Sequence, residues 1–355
     1  MGVEEEFFLV DGAGALLPMA PEALAATDDS DVDVKPELLR YQVESATEVC
    51  TTGHELAEQL TVLRKRLAEG AARRHARLAA SGTVVLAQAG DALIGPGRRY
   101  HEIAERFGQL VVGGLVCGCH VHVGVDDRAT ALQVANHLRP WLPMLLALSA
   151  NSPFADGRDS GYASSRHLLT TRWPSAGPPP YLDSVDQYEE LLTGLLDTGA
   201  ALDRKMVYWD IRPSEHQPTV EIRVADVQGT VREATFLAVL VRTLGTRALD
   251  LAADGVVAPR MPTELIKAGL WRAAKDGLTG QCTDPETGKL KPVRAVLDDL
   301  VHEHTAELRK TGELDFVEST LDWLERNGNG ADRQRRAYAR RQRLDDVVDA
   351  ITADA

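Results

Sequence analysis

Two periodicities organise the chain. Several short stretches alternate apolar and polar residues, which marks strands with one buried face. Longer stretches repeat apolar residues every three to four positions, which marks amphipathic helices. "VEEEFFLVD" reads as a strand ending at Asp11, "LLRYQVESAT" as a second extended segment, and "PTVEIRVAD" as a strand with clean alternation. "GTVVLAQAG" and "LVVGGLVCGCHVHVGV" are β-rich runs, the second interrupted by Gly113 and Gly114. A loop of Asp, Ala and Pro runs from the first strand to about Lys35. Helices are expected over His54–Ala80, with Leu56, Leu60, Leu63 and Leu67 on one face, over Val185–Leu196 and over Val231–Ala253. Ala129–Ala150 reads as an apolar helix bent at Pro140 and Pro143, where proline removes a helical N–H. Asn151–Tyr181 is rich in Pro, Gly, Ser and Arg and reads as a long, functional loop. The remainder is helical and more charged.

Alternation also sorts the ionisable residues. In "CGCHVHVG", Cys117, Cys119, Val121 and Val123 share one face, and Gly118, His120, His122 and Gly124 share the other. A regular strand therefore cannot turn all four Cys and His side chains to one tetrahedral zinc ion. The cysteines read as small buried hydrophobes, while the glycines leave room for a ligand beside the histidines. In "TVEIRVAD", Val220, Ile222 and Val224 oppose Thr219, Glu221, Arg223 and Ala225. In the first strand Glu4, Glu6 and Phe8 oppose Val3, Glu5, Phe7 and Leu9, and "YQVESAT" adds Gln42 and Glu44 on one face. The simplest arrangement is one mainly antiparallel sheet. One face packs on helices and the other carries Glu4, Glu6, Glu44, His120, His122, Glu221 and Arg223.

Such a carboxylate cluster repels itself unless cations neutralise it. Oxygen-dominated sites suit Mg²⁺, or Mn²⁺, better than zinc, and protein-bound Mg²⁺ commonly also holds substrate phosphates. The chain carries neither a P-loop nor a dinucleotide-binding glycine motif. Nucleotide phosphates would instead meet the metals and arginines. The candidates are Arg166, Arg172, Arg212, Arg223, Arg333 and Arg335.

Composition narrows the field. A chain of 355 residues, 44% apolar, has ample material for a core, and no linker divides it, so a single domain over residues 1–355 is expected. A net charge of −14 argues against a nucleic-acid partner. Four scattered cysteines form no disulfide framework. "MGVEEEF" has no signal-peptide character and "WLPMLLALSAN" is too short to cross a membrane. A cytoplasmic location is the resulting expectation.

Taken in order, "GVEEEFFLVD", "CGCHVHVGV", "LRPWLPMLLALSANSPF" with "GYASSR" and "RWPSAGPPP", "YWDIRPSEHQPTVEIRVADVQ", "WRAAKDGL" and "GNGADRQR" resemble the type 2 glutamate–cysteine ligase family of bacterial carboxylate–amine ligases. The resemblance spans residue 2 to about residue 343. It implies the α+β catalytic fold of the glutamine synthetase-like superfamily, a curved, mainly antiparallel sheet with helices on one face and the active site on the other. It further implies ATP and Mg²⁺ as cofactors, small carboxylate and amine substrates, an acyl-phosphate intermediate and a homodimer. By the same resemblance Glu4, Glu6, Glu44, His120 and Glu221 would hold metal, and Arg223 and Arg166 would stabilise the transferring phosphoryl group. His122, Arg172, Arg212, Arg333 and Arg335 would contact the nucleotide. Where many relatives carry a His-Pro pair after Gly-Thr, this chain has "GTVVLAQ", a departure that bears on the substrate. Three other readings stay open: phosphoryl transfer to a guanidino group on the same fold, non-catalytic metal or nucleotide binding, and a Cys/His zinc site.

Overall fold

The computed structural model describes residues 1–27, 34–87, 93–112 and 115–352. Its strands in chain order are β1 (Gly2–Val10), β2 (Val34–Pro36), β3 (Gln42–Ala46), β4 (Arg77–Ala79), β5 (Gly118–Gly124), β6 (Phe154–Ala155), β7 (Arg158–Asp159), β8 (Ile211–Pro213) and β9 (Thr219–Asp226). Seven of them form one sheet in the order β2-β3-β1-β5-β9-β8, with β4 also pairing β1. Each of these pairings is antiparallel. A small hairpin, Gln281–Thr283 with Leu290–Pro292, lies apart.

The apolar face of β5 and β9 is covered by helices. Val121, Val123, Val220, Ile222 and Val224 pack with Leu138, Leu145, Phe236, Leu240 and Leu244 in one core. Each fully buried side chain of this kind contributes about 1.5–3 kcal/mol. A second core joins Phe7, Leu9, Val43 and Leu78 to Leu67, Val347 and Ile351. Cys117 lies in the second core and Cys119 in the first, and burial pushes both thiols well above their usual range. Neither is a thiolate able to bind metal at neutral pH.

Glu5 shares the apolar face of β1, as alternation requires. It survives there through a buried ion pair, with Arg64 of the Gly53–Ala72 helix donating to its carboxylate at 2.6 and 2.9 Å. Arg64 also caps the Gln228 carbonyl at 2.9 Å and lies over the Phe7 ring.

Several element boundaries differ from the sequence expectations. The first long helix stops at Ala72, and the left-handed His75 turns the chain into β4. The Ala129–Ala150 segment is two helices, Arg128–Leu138 and Leu142–Ser149, joined by a 3-10 turn that carries Pro140, which supplies no helical N–H. In "GTVVLAQAG" the described residues form no strand; Thr83 makes one isolated bridge to Val116, and residues 88–90 lie outside the described residues. Gly113 and Gly114 likewise lie outside them, and the Gln109–Val112 segment just before is helical. The stretch from Asn151 to Tyr181 holds structure of its own, the β6–β7 hairpin and the Ser165–Thr170 helix. Val34–Pro36, expected at the end of a loop, pairs with β3. Among the described residues no helix is long and apolar enough to cross a membrane.

Candidate active site

Strand register assembles the site. On β1 and β3, Glu6 stands opposite Glu44. On β1 and β5, Glu4 stands opposite His120. On β5 and β9, His122 stands opposite Glu221, which in turn stands opposite Arg212 of β8. Side chains that are directly opposed lie on the same face, so one row of ionisable groups crosses the polar face of the sheet. It lines a cavity of about 700 Å³ that also receives Arg166 and Arg223.

A bulge interrupts the alternation of β9. Cys119 pairs with Ala225 and Val121 with Ile222, so Arg223 and Val224 together oppose His120. The extra residue bends the strand and re-aims the side chains beyond it. Asp226, beyond the bulge, is buried and accepts hydrogen bonds from the Asn151 backbone N–H at 2.8 Å, from Ser152 at 2.6 Å and from Ser164 at 2.8 Å. Ser152 Oγ in turn accepts from the Arg166 backbone N–H at 3.1 Å. The Arg166 guanidinium donates to the carbonyls of Val224 and Arg223 at 3.3 and 3.2 Å. The bulge thus anchors the long loop that delivers Arg166. The room left by Gly118 is filled by this guanidinium, and a Cβ there would collide with Arg166 Nη2. Gly124, in contrast, faces open space.

Among the described residues two groups of potential cation ligands result: Glu4, His120 and Glu221, and Glu6, Glu37 and Glu44, each with ligand atoms within 4.8 Å of one another. In the first, His120 Nδ1 lies 3.3 Å from Glu4 and 4.0 Å from Glu221. The same nitrogen lies 3.3 Å from Arg223 Nη1. It cannot donate to Glu4 and accept from Arg223 at once. Burial, helped by Arg223, pushes the His120 imidazole down to about 4, so the ring is neutral at pH 7. A cation is met by lone pairs alone, which neutral imidazole and carboxylates all provide. His120 Nε2 and His122 Nε2 are buried with no hydrogen-bond partner among the described residues, and His122 Nδ1 is held by Thr219 at 2.9 Å. Glu221 is ion-paired to Arg212 at 2.9 Å and to Arg223. Burial works to raise its pKa, and these two guanidiniums outweigh it, holding the carboxylate ionised.

The second group has the opposite character. Burial and the neighbouring Glu37 push Glu6 up to about 7 and Glu44 well above the carboxylate range. Like charges so placed favour a shared proton or a divalent cation. Oxygen donors suit a hard cation, and the residues present would fit Mg²⁺.

Of the residues singled out in the sequence, Glu4, Glu6, Glu44, His120, His122, Glu221, Arg166, Arg212 and Arg223 line the one cavity. Three arginines do not. Arg172 is exposed beyond it. Arg333 donates to Glu233 at 2.6 and 2.8 Å and stacks on Trp323. Arg335 donates to Asp159 at 3.0 and 3.1 Å and borders a separate, more apolar cavity beside Leu297, Leu321 and Leu324. Both tie the C-terminal Gly330–Arg341 helix to the rest of the chain. Sequence patterning missed Glu37, Asp210 and Asp226. Glu37 follows β2, which was assigned to a loop; the hairpin register of β2 and β3 was the signal for it. An acidic residue inside the apolar "VYWDI" was the signal for Asp210.

The comparisons with known proteins show the family and the fold. The glutamate-cysteine ligase family 2 model matches residues 1–350. A Rhodococcus jostii (strain RHA1) protein named "Putative glutamate--cysteine ligase 2-1" is 45% identical over 354 residues, covering 100% of this chain and 96% of its own length. A protein of Mycobacterium sp. (strain KMS) named "Putative glutamate--cysteine ligase 2-2" is 44% identical over 353 residues, covering 99% of this chain and 97% of its own. Among solved structures, a glutamate–cysteine ligase from Francisella tularensis in complex with AMP superposes with a TM-score of 0.74 at 14% identity, over 99% of this chain and 88% of that one. The ligase PafA, solved in complex with the ubiquitin-like protein Pup, superposes with a TM-score of 0.52 at 12% identity, over 96% of this chain and 67% of that one. The fold is shared with these ligases, and the chain belongs to glutamate-cysteine ligase family 2, a family of carbon–nitrogen ligases.

Proposed function

We propose that this protein is an ATP- and Mg²⁺-dependent ligase that joins a carboxylate to an amine through an acyl phosphate, with glutamate and cysteine as the pair named in its relatives. The observation that carries the reading is the placement of two carboxylate-rich groups and the Arg166 and Arg223 guanidiniums in one cavity. The substrate carboxylate attacks the γ-phosphate of ATP, and the amine then displaces phosphate from the acyl phosphate. Such a reaction asks the protein mainly for positioning and charge stabilisation. Glu4, His120 and Glu221 would hold one Mg²⁺, or Mn²⁺ in its place, and Glu6, Glu37 and Glu44 another. Bound there, the ions would neutralise the nucleotide phosphates. Arg166, pinned by Ser152 and two carbonyls, lines the same space with no ion-paired carboxylate among the described residues. Arg212 and Arg223 share Glu221 and keep it ionised.

The test is an ADP-release screen of amino-acid pairs with mass detection of products. Free phosphate formed only when both a carboxylate and an amine are present, with a coupled product lighter than their sum by one water, is the expected outcome. A stable phosphorylated product without free phosphate would make the protein a phosphotransferase. ADP release that EDTA leaves unchanged would remove the metals from the reading.

A further inference from the structure

We propose that Asp210 receives the ammonium group of the incoming amine and takes its proton before the amine attacks. This role rests on the acyl-phosphate reading above. Asp210 sits just before β8, its backbone fixed on both sides: its N–H donates to the Gly177 carbonyl at 2.9 Å, and its carbonyl accepts from the Arg223 N–H at 2.8 Å. The residue is only 5% exposed, yet it lines the cavity. Its Oδ2 has no hydrogen-bond partner among the described residues. It belongs to neither group of potential cation ligands. A carboxylate buried without a donor is costly unless a ligand supplies one.

The chemistry of that donor is constrained. The Asp210 carboxyl lies within the influence of Arg166 and Arg223, the two cations that would face transferring phosphate. Because it lines the same cavity as those two arginines, it would stand beside the acyl phosphate. A phosphate oxygen would repel it, whereas an ammonium group brings both opposite charge and N–H donors. Burial pushes Asp210 up to about 7, against the pull of the two arginines. That raises its basicity toward what proton transfer at neutral pH needs.

The step balances. One proton passes from the ammonium to the Asp210 carboxylate, which frees the nitrogen lone pair. The nitrogen attacks the acyl carbon, the C–N bond forms, and the C–O bond to phosphate breaks with its electron pair on the phosphate. The second proton lost by nitrogen departs with the phosphate.

Hydroxylamine separates this role from all others, because it is largely uncharged at neutral pH and needs no base. Wild-type protein and Asp210→Asn are each given ATP, MgCl₂ and L-glutamate with either L-cysteine or hydroxylamine. The variant is expected to lose about 100-fold or more of its coupling to L-cysteine. Hydroxamate formation and the KM for ATP are expected to stay close to wild type, which also shows that the variant is folded. Loss of both reactions, or of neither, overturns the role of Asp210. A wild-type protein that couples L-cysteine without forming hydroxamate, or does neither, refutes the reading on which the role rests, and the role with it.

Discussion

At Glu221, two guanidiniums and a histidine meet one carboxylate. Glu221→Gln preserves the shape but removes the charge and one of the two oxygens that accept from Arg212 and Arg223. ADP release in the presence of Mg²⁺ should fall by about 100-fold or more, the scale of losing a preorganised electrostatic partner, with the melting temperature little changed. Unaltered turnover would remove Glu221 from the proposed cation site. Glu5 makes the complementary case. Its position on the apolar face was legible from alternation, but its partner Arg64 lies 59 residues away, and nothing local in the sequence joins them. Arg64→Met leaves a buried, unpaired carboxylate, and urea unfolding should show a loss of about 3–5 kcal/mol. Adding Glu5→Gln should restore part of it; a single variant as stable as wild type would show that the pair contributes nothing. Arg333 and Arg335 carry the same lesson in reverse. Both stand in a motif that reads as phosphate-binding, and both are engaged by carboxylates, Glu233 and Asp159, that only the fold supplies.

At the level of elements, the period-two pattern sorted β1, β3, β5 and most of β9 correctly into faces, because a pleated strand leaves side chains no other choice. It failed where β9 carries an extra residue, since a bulge is a property of the pairing rather than of either strand alone. The glycines of β5 likewise needed the partner loop to be understood. Gly118 accommodates Arg166, so Gly118→Ala should displace that guanidinium by driving a methyl into it. With misplacement on the scale of about 1 Å, turnover should drop by roughly 10²-fold while circular dichroism stays at the wild-type level. Wild-type turnover in this variant would show that Arg166 needs no such placement. Composition marked the Asn151–Tyr181 stretch as a long loop, but neither its hairpin and short helix nor its anchoring through Ser152 and Ser164 to Asp226 was legible.

For the whole molecule, the carboxylate row would couple the proposed cation binding to pH. Glu6 has a folded-state pKa of about 7, raised above its unfolded value by burial and by Glu37. A raised group stabilises fully below its unfolded pKa, near 4.5, and that contribution is lost as pH rises through about 7. Without metal, the folded state therefore holds a proton at pH 6 that the unfolded chain has released. A cation at Glu6, Glu37 and Glu44 must displace that proton, so binding weakens as pH falls. The rise in melting temperature on adding MgCl₂ should accordingly be larger at pH 8 than at pH 6. Equal rises at the two pH values would count against these three carboxylates as a cation site.

Taken by itself, the sequence determined the faces of the strands, the burial of Cys117 and Cys119, the apolar helices and most of the carboxylate, imidazole and guanidinium groups that line the cavity. These come from periodicity and from the chemistry of carboxylates and imidazoles, which are local properties. The tertiary structure alone decided which ionisable groups share the cavity. It brought Glu37 and Asp210 in and placed Arg172, Arg333 and Arg335 outside, and it paired Glu5 with Arg64. Those outcomes depend on strand register, a bulge and contacts between residues far apart in the chain, and such pairings carry no signature at either position alone.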